Sequence, residues 1–295
     1  MVNDYARVVK RSRNKSSINK RTKSIGLYFV MTLIAFLTLF PLLWAISASL
    51  RTDVELYKYT MPFSMKTLFP VDITFENYIR LFRQFHFFGA IVNTVVQVFI
   101  LVPCGCLINS VAAFSFSFFN FKFKNTLFLL FMLSFMIPFE SIALPLYNLI
   151  SSLKWVDTLA AMIVPSVANG LVLFLFRQFF QDLPVAFLEA ARVDGATLRQ
   201  MFVKIVIPLS LPVFITAGLM LFITYWNSYL WPLLVARSDN IQTIQIALAT
   251  LKMENETLWS CIYGGSVISA IIPLMMFLPF QKYFVEGITS SGVKG

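Results

Sequence analysis

The chain holds 295 residues, with 24 basic against 14 acidic side chains and a net charge of +10. Hydrophobic residues make up 58% and charged residues 13%, where soluble domains hold roughly 45–50% and 25%. So few polar groups cannot cover the apolar surface, which excludes a cytosolic enzyme, a disordered tail and a secreted disulfide scaffold and leaves lipid as the solvent.

Arg7, Lys10, Arg11, Arg13, Lys15, Lys20, Arg21 and Lys23 crowd the N-terminus, with Asp4 alone opposing them. A basic run directly before an apolar stretch is an orientation signal and an anionic-lipid contact rather than a nucleic-acid site. The apolar stretch that follows is long and lacks a small-residue cleavage site, so it reads as a retained span and not a signal peptide. Six stretches are long enough to cross a hydrocarbon core of roughly 30 Å. They run over about 25–50, 89–119, 125–147, 156–180, 203–233 and 259–284. They are continuously apolar, and backbone in lipid must satisfy itself, so helices are expected: an all-α polytopic membrane protein. The chain then divides into a basic segment 1–24, a transmembrane domain 25–284 and a tail 285–295. With an even number of spans both termini share a side. That side carries Lys122, Lys124, Arg177, Arg192, Arg199 and Lys204 besides the basic run, twice the basic residues of the other. Both termini are therefore expected in the cytoplasm.

Residues 51–88 are predicted to form a small external cap, and the polar loop 236–258 to reach a partner outside. Pro41, Pro103, Pro138, Pro145, Pro165, Pro208, Pro212, Pro232, Pro273 and Pro279 lie in or near the spans. Each is either the ordinary proline of a membrane helix or the mark of a broken helix lining a pathway.

Ionisable chemistry is nearly missing from the spans. Glu140 is the one mid-span carboxylate, since Arg177, Lys204 and Lys282 can snorkel at the ends. It is either functional or satisfied by polar neighbours. Cys104, Cys106, Cys261 and the single His86 have no metal-ligand spacing. Gly287 and Gly292 sit at phosphate-loop spacing, but Val293 stands where the lysine belongs. No cofactor is expected on this chain, and if it takes part in active transport the energy comes from another subunit. Tyr225, Trp226, Asn227, Tyr229 and Trp231 cluster at the outer end of the fifth span. They are either an interfacial aromatic belt or a platform for a hydroxyl-rich substrate.

Segment 181–202 is the most informative. Asp182 reads as an N-cap and Pro184 as a first-turn residue. Leu188, Ala191, Leu198 and Phe202 then fall on one helical face with Gly195, flanked by Ala190 and Ala196. Glu189, Arg192, Asp194 and Arg199 ring that face. A small-residue helix rimmed by charge suits a groove on another protein better than a lipid surface.

GluAlaAlaArgValAspGlyAla (189–196), followed by Phe202, Ile205, Ile207, Pro208, Leu209 and Pro212, resembles the EAA loop of membrane subunits of ATP-binding-cassette importers. The AspGlyAla variant is similar to the carbohydrate branch, the maltose-transporter type, and the ending PheValGluGlyIleThrSerSerGlyValLysGly resembles the tail of its MalG-like subunit. The basic first twenty residues depart from that pattern. The resemblance implies a type I importer permease fold with a cytoplasmic coupling helix, and a chain that is not an enzyme. Glu189, Ala190, Ala191, Asp194, Gly195 and Ala196 would meet an ATPase, and Ser291, Gly292, Lys294 and Gly295 would lie along it. Implied partners are a second permease in a heterodimer, two ATPase subunits carrying ATP and Mg2+, and an extracytoplasmic solute-binding protein whose cleft the 236–258 loop enters. The implied substrate is a sugar or oligosaccharide. The alternatives are a non-sugar solute such as glycerol phosphate or a polyol, or an ATP-independent secondary transporter.

Overall fold

The computed structural model describes the backbone of residues 2–60, 62–252 and 257–292, and side chains at 24, 26–59, 62–252 and 257–282. The basic run Arg7 to Lys23 and the tail positions Ser291, Gly292, Lys294 and Gly295 lie outside the described side chains. All regular structure among the described residues is helical, apart from one isolated bridge between Lys252 and Thr257.

Two units make up the chain. The first comprises residues 1–77 and 259–267. Its helix α1 (Val2–Ser49) contains Gly26–Ser49, long and apolar enough to cross a membrane. Residues 26–43 are exposed on every side, as suits a helix whose solvent is hydrocarbon. Helices α2 (Asp53–Thr60), α3 (Met65–Leu68) and α4 (Glu76–Arg83) follow. The loops between them close around Arg51, which is 2% exposed. Arg51 donates to Lys66 O and Ser47 Oγ, both at 2.9 Å, and its Nε lies 3.9 Å from Glu55. Glu55 in turn accepts the Val71 N–H at 2.7 Å. Asn77 donates to Ser49 O and Arg51 O and accepts from the Ser260 hydroxyl. Buried charge is tolerated here because α1, α2 and α3 each bring a partner to the guanidinium, through Ser47, Glu55 and Lys66.

The second unit comprises residues 78–258 and 268–295. Helix α5 (Phe87–Phe118) runs unbroken through Pro103. After it come α6 (Lys124–Phe135) and α7 (Phe139–Ser152), bent by 97°. Next, α8 (Leu159–Ile163) and the 3-10 turn Val164–Ser166 meet α9 (Gly170–Gln181) at 42°. Helix α10 (Ala186–Val193) leads to α11 (Leu198–Met201), a π-type turn Phe202–Val206 and α12 (Ile207–Leu209). That run meets α13 (Leu211–Trp226) at 81°. Short helices α14 (Leu230–Val235) and α15 (Ile244–Thr250) precede α16 (Trp259–Gly292). Among the described residues, α1, α5 and α16 are each long and apolar enough to cross a membrane singly, and three bent pairs are long and apolar enough to do so together, giving up to six spans.

The predicted stretches 125–147 and 156–180 thus hold two α-helices each, and 203–233 holds α12, α13 and the start of α14. Proline number alone does not cause this, because Pro41, Pro103, Pro145, Pro273 and Pro279 sit inside continuous helices. At the α6–α7 bend, Pro138 is extended (φ −56°, ψ 134°) and forces its predecessor out of the helical region. The π-type turn, in which the Ile207 N–H reaches Phe202 O, falls where Pro208 offers no N–H and crowds the carbonyl four residues back.

The α8–α9 break is held by side chains. Asn169 is extended and accepts the Val172 N–H at 3.1 Å, capping α9. Asn109, 1% exposed on α5, donates to Val167 O at 2.8 Å and Gly105 O at 2.7 Å and accepts the Asn169 N–H at 2.9 Å. Tyr225 donates to Ser166 O at 2.6 Å. Gly105 permits this approach: a Cβ there would stand 2.9 Å from a Leu221 methyl and 3.4 Å from Val167 O. The surrounding core joins α5, α9 and α13 through Phe114, Phe176, Phe180, Phe202, Val206 and Leu221.

Gly170 packs against Phe135, where an added Cβ would fall 2.2 Å from Cγ, whereas at Gly218 the nearest atom would be 3.7 Å away. Gly170→Ala should therefore destabilise the fold by about 1–3 kcal/mol through overpacking, with Gly218→Ala close to neutral. Thermal unfolding of the two variants in detergent tests the contrast, and equal losses would refute it.

Candidate functional site

Asp182 closes α9 as its C-cap. It does not open the next helix, which corrects its expected role. Helix α10 then stops at Gly195, whose φ of +79° is the left-handed conformation a glycine adopts freely. There the Ala196 N–H reaches Ala191 O at 2.9 Å and the Gly195 N–H reaches Arg192 O at 3.1 Å, a Schellman ending. Two residues later Thr197 opens α11 with a capping box: Gln200 N–H donates to Thr197 Oγ1 and Thr197 N–H to Gln200 Oε1.

The single helix expected over 184–202 is thus a helix–glycine–helix knuckle. Leu198 and Phe202 do not share a helix with Leu188 and Ala191. Ala191 is 8% exposed, half-buried Leu188 packs on the core, and Phe202 lies within that core. That face is turned onto the protein itself, because the apolar stripe of α10 finds the Phe-rich ends of α5 and α9 beside it. The open face carries Phe187, Ala190 and Val193, the last 88% exposed, ringed by Glu189, Arg192 and Asp194. Gly195 is also exposed and Ala196 half-buried. An exposed apolar patch with a charged rim on a short turn has the composition common to protein-interaction surfaces.

The far end of this unit anchors the loop 236–258. Asn93 donates to Asn240 O at 2.8 Å and Gln242 O at 3.1 Å, and Thr94 accepts the Ile244 N–H at 2.9 Å. Asp157, at φ +68°, accepts the backbone N–H of Ser238 at 2.8 Å and of Arg237 at 2.9 Å. The bonds from Ser238, then those from Arg237 with its charge, hold the Asp157 carboxyl below the usual carboxylate range. Arg237 also donates to the Tyr147 hydroxyl and lies over its ring. Residues 253–256 of the loop lie outside the described chain.

The substrate-pathway candidates lie in different surroundings. Glu140 is exposed in the first turn of α7, where the helix dipole favours its charge. Tyr225 is engaged at the α8–α9 break. Trp226 is 1% exposed and donates to Ser269 O at 3.0 Å. It lines an apolar cavity of about 470 Å³ with Val98, Val102, Gly218, Phe222 and Met276, which offers a sugar no hydrogen bond. Trp231 is likewise buried, bonded to Ala161 O. These two tryptophans are core residues, neither belt nor platform. Asn227 and Tyr229 are exposed. No group of His, Cys, Asp and Glu among the described residues forms a metal site.

The family model of the binding-protein-dependent transport system inner membrane component matches residues 102–280. The chain belongs to this family. It is 35% identical to the arabinooligosaccharides transport system permease protein AraQ of Halalkalibacterium halodurans, over 96% of this chain and 99% of that protein. It is 26% identical to the lactose transport system permease protein LacG of Rhizobium radiobacter, over 94% and 98%. It is 30% identical to the sn-glycerol-3-phosphate transport system permease protein UgpE of Salmonella typhimurium, over 92% and 98%. A crystal structure of a bacterial ABC transporter involved in the import of the acidic polysaccharide alginate superposes with a TM-score of 0.75 over 90% of this chain and 97% of that one, at 22% identity. The permease thus has the type I importer fold and is a multi-pass inner-membrane transport subunit, not an enzyme.

Two outcomes follow from the geometry of the permease. Gly195→Ala forces a Cβ into the left-handed region at about 1–2 kcal/mol, and hydrogen exchange over 190–198 should quicken while the rest of the chain is unchanged. Because Asp157 titrates low, its clamp is complete at neutral pH and is lost as pH falls through that lowered value. Proteolysis of residues 236–252 should rise in Asp157→Ala at neutral pH, and in the unaltered chain only in acid. Equal cleavage at all pH values would remove the clamp.

Proposed function

We propose that the permease is one of two membrane-spanning subunits, different in sequence, of an ATP-driven importer for a sugar or oligosaccharide. The observation that carries this is the knuckle 186–201: a rigid, charged-rimmed apolar surface on a chain with no nucleotide loop of its own. Two ATPase subunits, carrying ATP and Mg2+, grip the open face of Phe187, Glu189, Ala190, Val193, Asp194 and Gly195 and turn hydrolysis into displacement of α10 and α11. Ala191 and Ala196 support that surface from within. Ser291, Gly292, Lys294 and Gly295 lie along the same ATPase. Both termini then face the cytoplasm, as the positive charge count favours.

On the other side an extracytoplasmic solute-binding protein docks against the loop 236–258, and the clamped part around Asp157 presents its free portion. Exposed Asn227 and Tyr229 lie nearby in sequence and meet the solute. Support for a sugar comes from the oligosaccharide and lactose systems among the relatives and from the absence of mid-span Arg or Lys that a phosphate ester requires. The domain division 1–24, 25–284 and 285–295 fits this arrangement.

Glu189→Lys reverses a charge on the open face without touching the core. In reconstituted importer it should abolish uptake and the stimulation of ATPase activity by binding protein, while leaving membrane insertion intact. Stimulation at the unaltered level would refute the assignment.

A further inference from the structure

We infer that Arg177, with Lys124 and Lys122, holds the phosphate of an anionic membrane lipid at the end of α5 and the start of α6. The guanidinium of Arg177 lies 4.0 Å from the centre of the Phe128 ring. Its Nε is shielded from solvent and has no hydrogen-bond partner among the described residues. A snorkelling arginine extends into water; this one is pinned short of it. Lys124 Nζ donates to Ser117 O at 3.3 Å and Phe119 O at 2.9 Å, using two of its three protons. Ser117 in turn donates its hydroxyl to the backbone carbonyl of Arg177 at 3.4 Å, which ties the end of α5 to α9 beside both cationic residues. Lys124 stands four residues before Phe128, on the same face of α6 as the ring that carries the guanidinium. Lys122 stands over the Phe123 ring at 5.3 Å. None of the three is ion-paired to a carboxylate among the described residues.

The start of α6 adds a second attraction for an anion. Its N-cap, Phe123, is held at φ +64° and supplies no side-chain cap. The first-turn N–H groups of Asn125 and Thr126 therefore stay open. Below them α6 buries none of its residues, and Leu127, Leu129, Leu130 and Leu133 are all about half exposed. Fixed like charges without a counter-ion repel one another. A phosphodiester with acyl chains lying along α6 relieves the repulsion and covers the leucines together. A zwitterionic headgroup brings its own cation and gains less.

The test uses the full chain purified in detergent, with mixed micelles of phosphatidylcholine doped with phosphatidylglycerol, and native mass spectrometry to count retained lipid. Wild type should retain phosphatidylglycerol over phosphatidylcholine. Arg177→Gln should retain it roughly tenfold less, the scale of one charge-assisted hydrogen bond. Phe128→Leu, which frees the guanidinium, and Lys122→Gln, on an exposed loop, should show partial losses. These two variants decide the matter if Arg177→Gln fails to fold. Retention at wild-type level in all folded variants would overturn the site. Displacement of the lipid by inorganic phosphate, with equal protection by phosphate alone, would overturn a lipid source in favour of a free anion.

Discussion

A helix that breaks inside hydrocarbon leaves carbonyls and N–H groups with no water to meet them, and this constraint shapes the permease. Each of its three bends answers it differently. At the α8–α9 break, Asn109 and Tyr225 lend side-chain donors to Val167 and Ser166. At Pro208 the ladder widens to a π-type turn and the next N–H reaches five residues back. At Pro138 the second helix opens with a carboxylate, Glu140, in its first turn.

Much of the fold was legible because it follows from local composition. Long apolar runs without charge specify membrane helices whatever surrounds them. The positions of the breaks were less legible. Asn169 opens α9 where Asn109, 60 residues earlier, receives its N–H, and Gly105 leaves room for the neighbouring carbonyl. Such partnerships are non-local and leave no periodic trace. The knuckle is a different case. Gly195 followed by Thr197 and Gln200 is a stop and a restart written in adjacent residues, and continuous periodicity through them was the wrong reading. Trp226 and Trp231 show a further limit: indole rings near the end of an apolar run signal a headgroup belt only if the fold leaves them outside, and here both are covered.

The same core that seals the α8–α9 break also receives the knuckle. Phe202 follows α11 directly and packs against Phe114 at 5.3 Å between ring centres. Phe114 lies on α5 one turn beyond Asn109, and Phe176 on α9 meets Phe214 on α13 at 4.6 Å. A displacement of α10 and α11, as proposed for coupling, would therefore be borne first by a continuous row of rings and then by the one span that is polar at its break. Aromatic rings in T-shaped and tilted contact slide and re-pack at small cost compared with stretched hydrogen bonds. The row would transmit load, and the amides at the break would resist it.

Asn109 also dictates an order of assembly. Its acceptor at Val167 is 58 residues downstream, so α5 enters the bilayer carrying a primary amide whose inter-helix partner has not yet been made. Only the bond to Gly105 within its own helix is available at that stage. The nascent protein must hold α5 near the insertion machinery until α8 and α9 emerge, and lateral escape before then would strand the amide in oil.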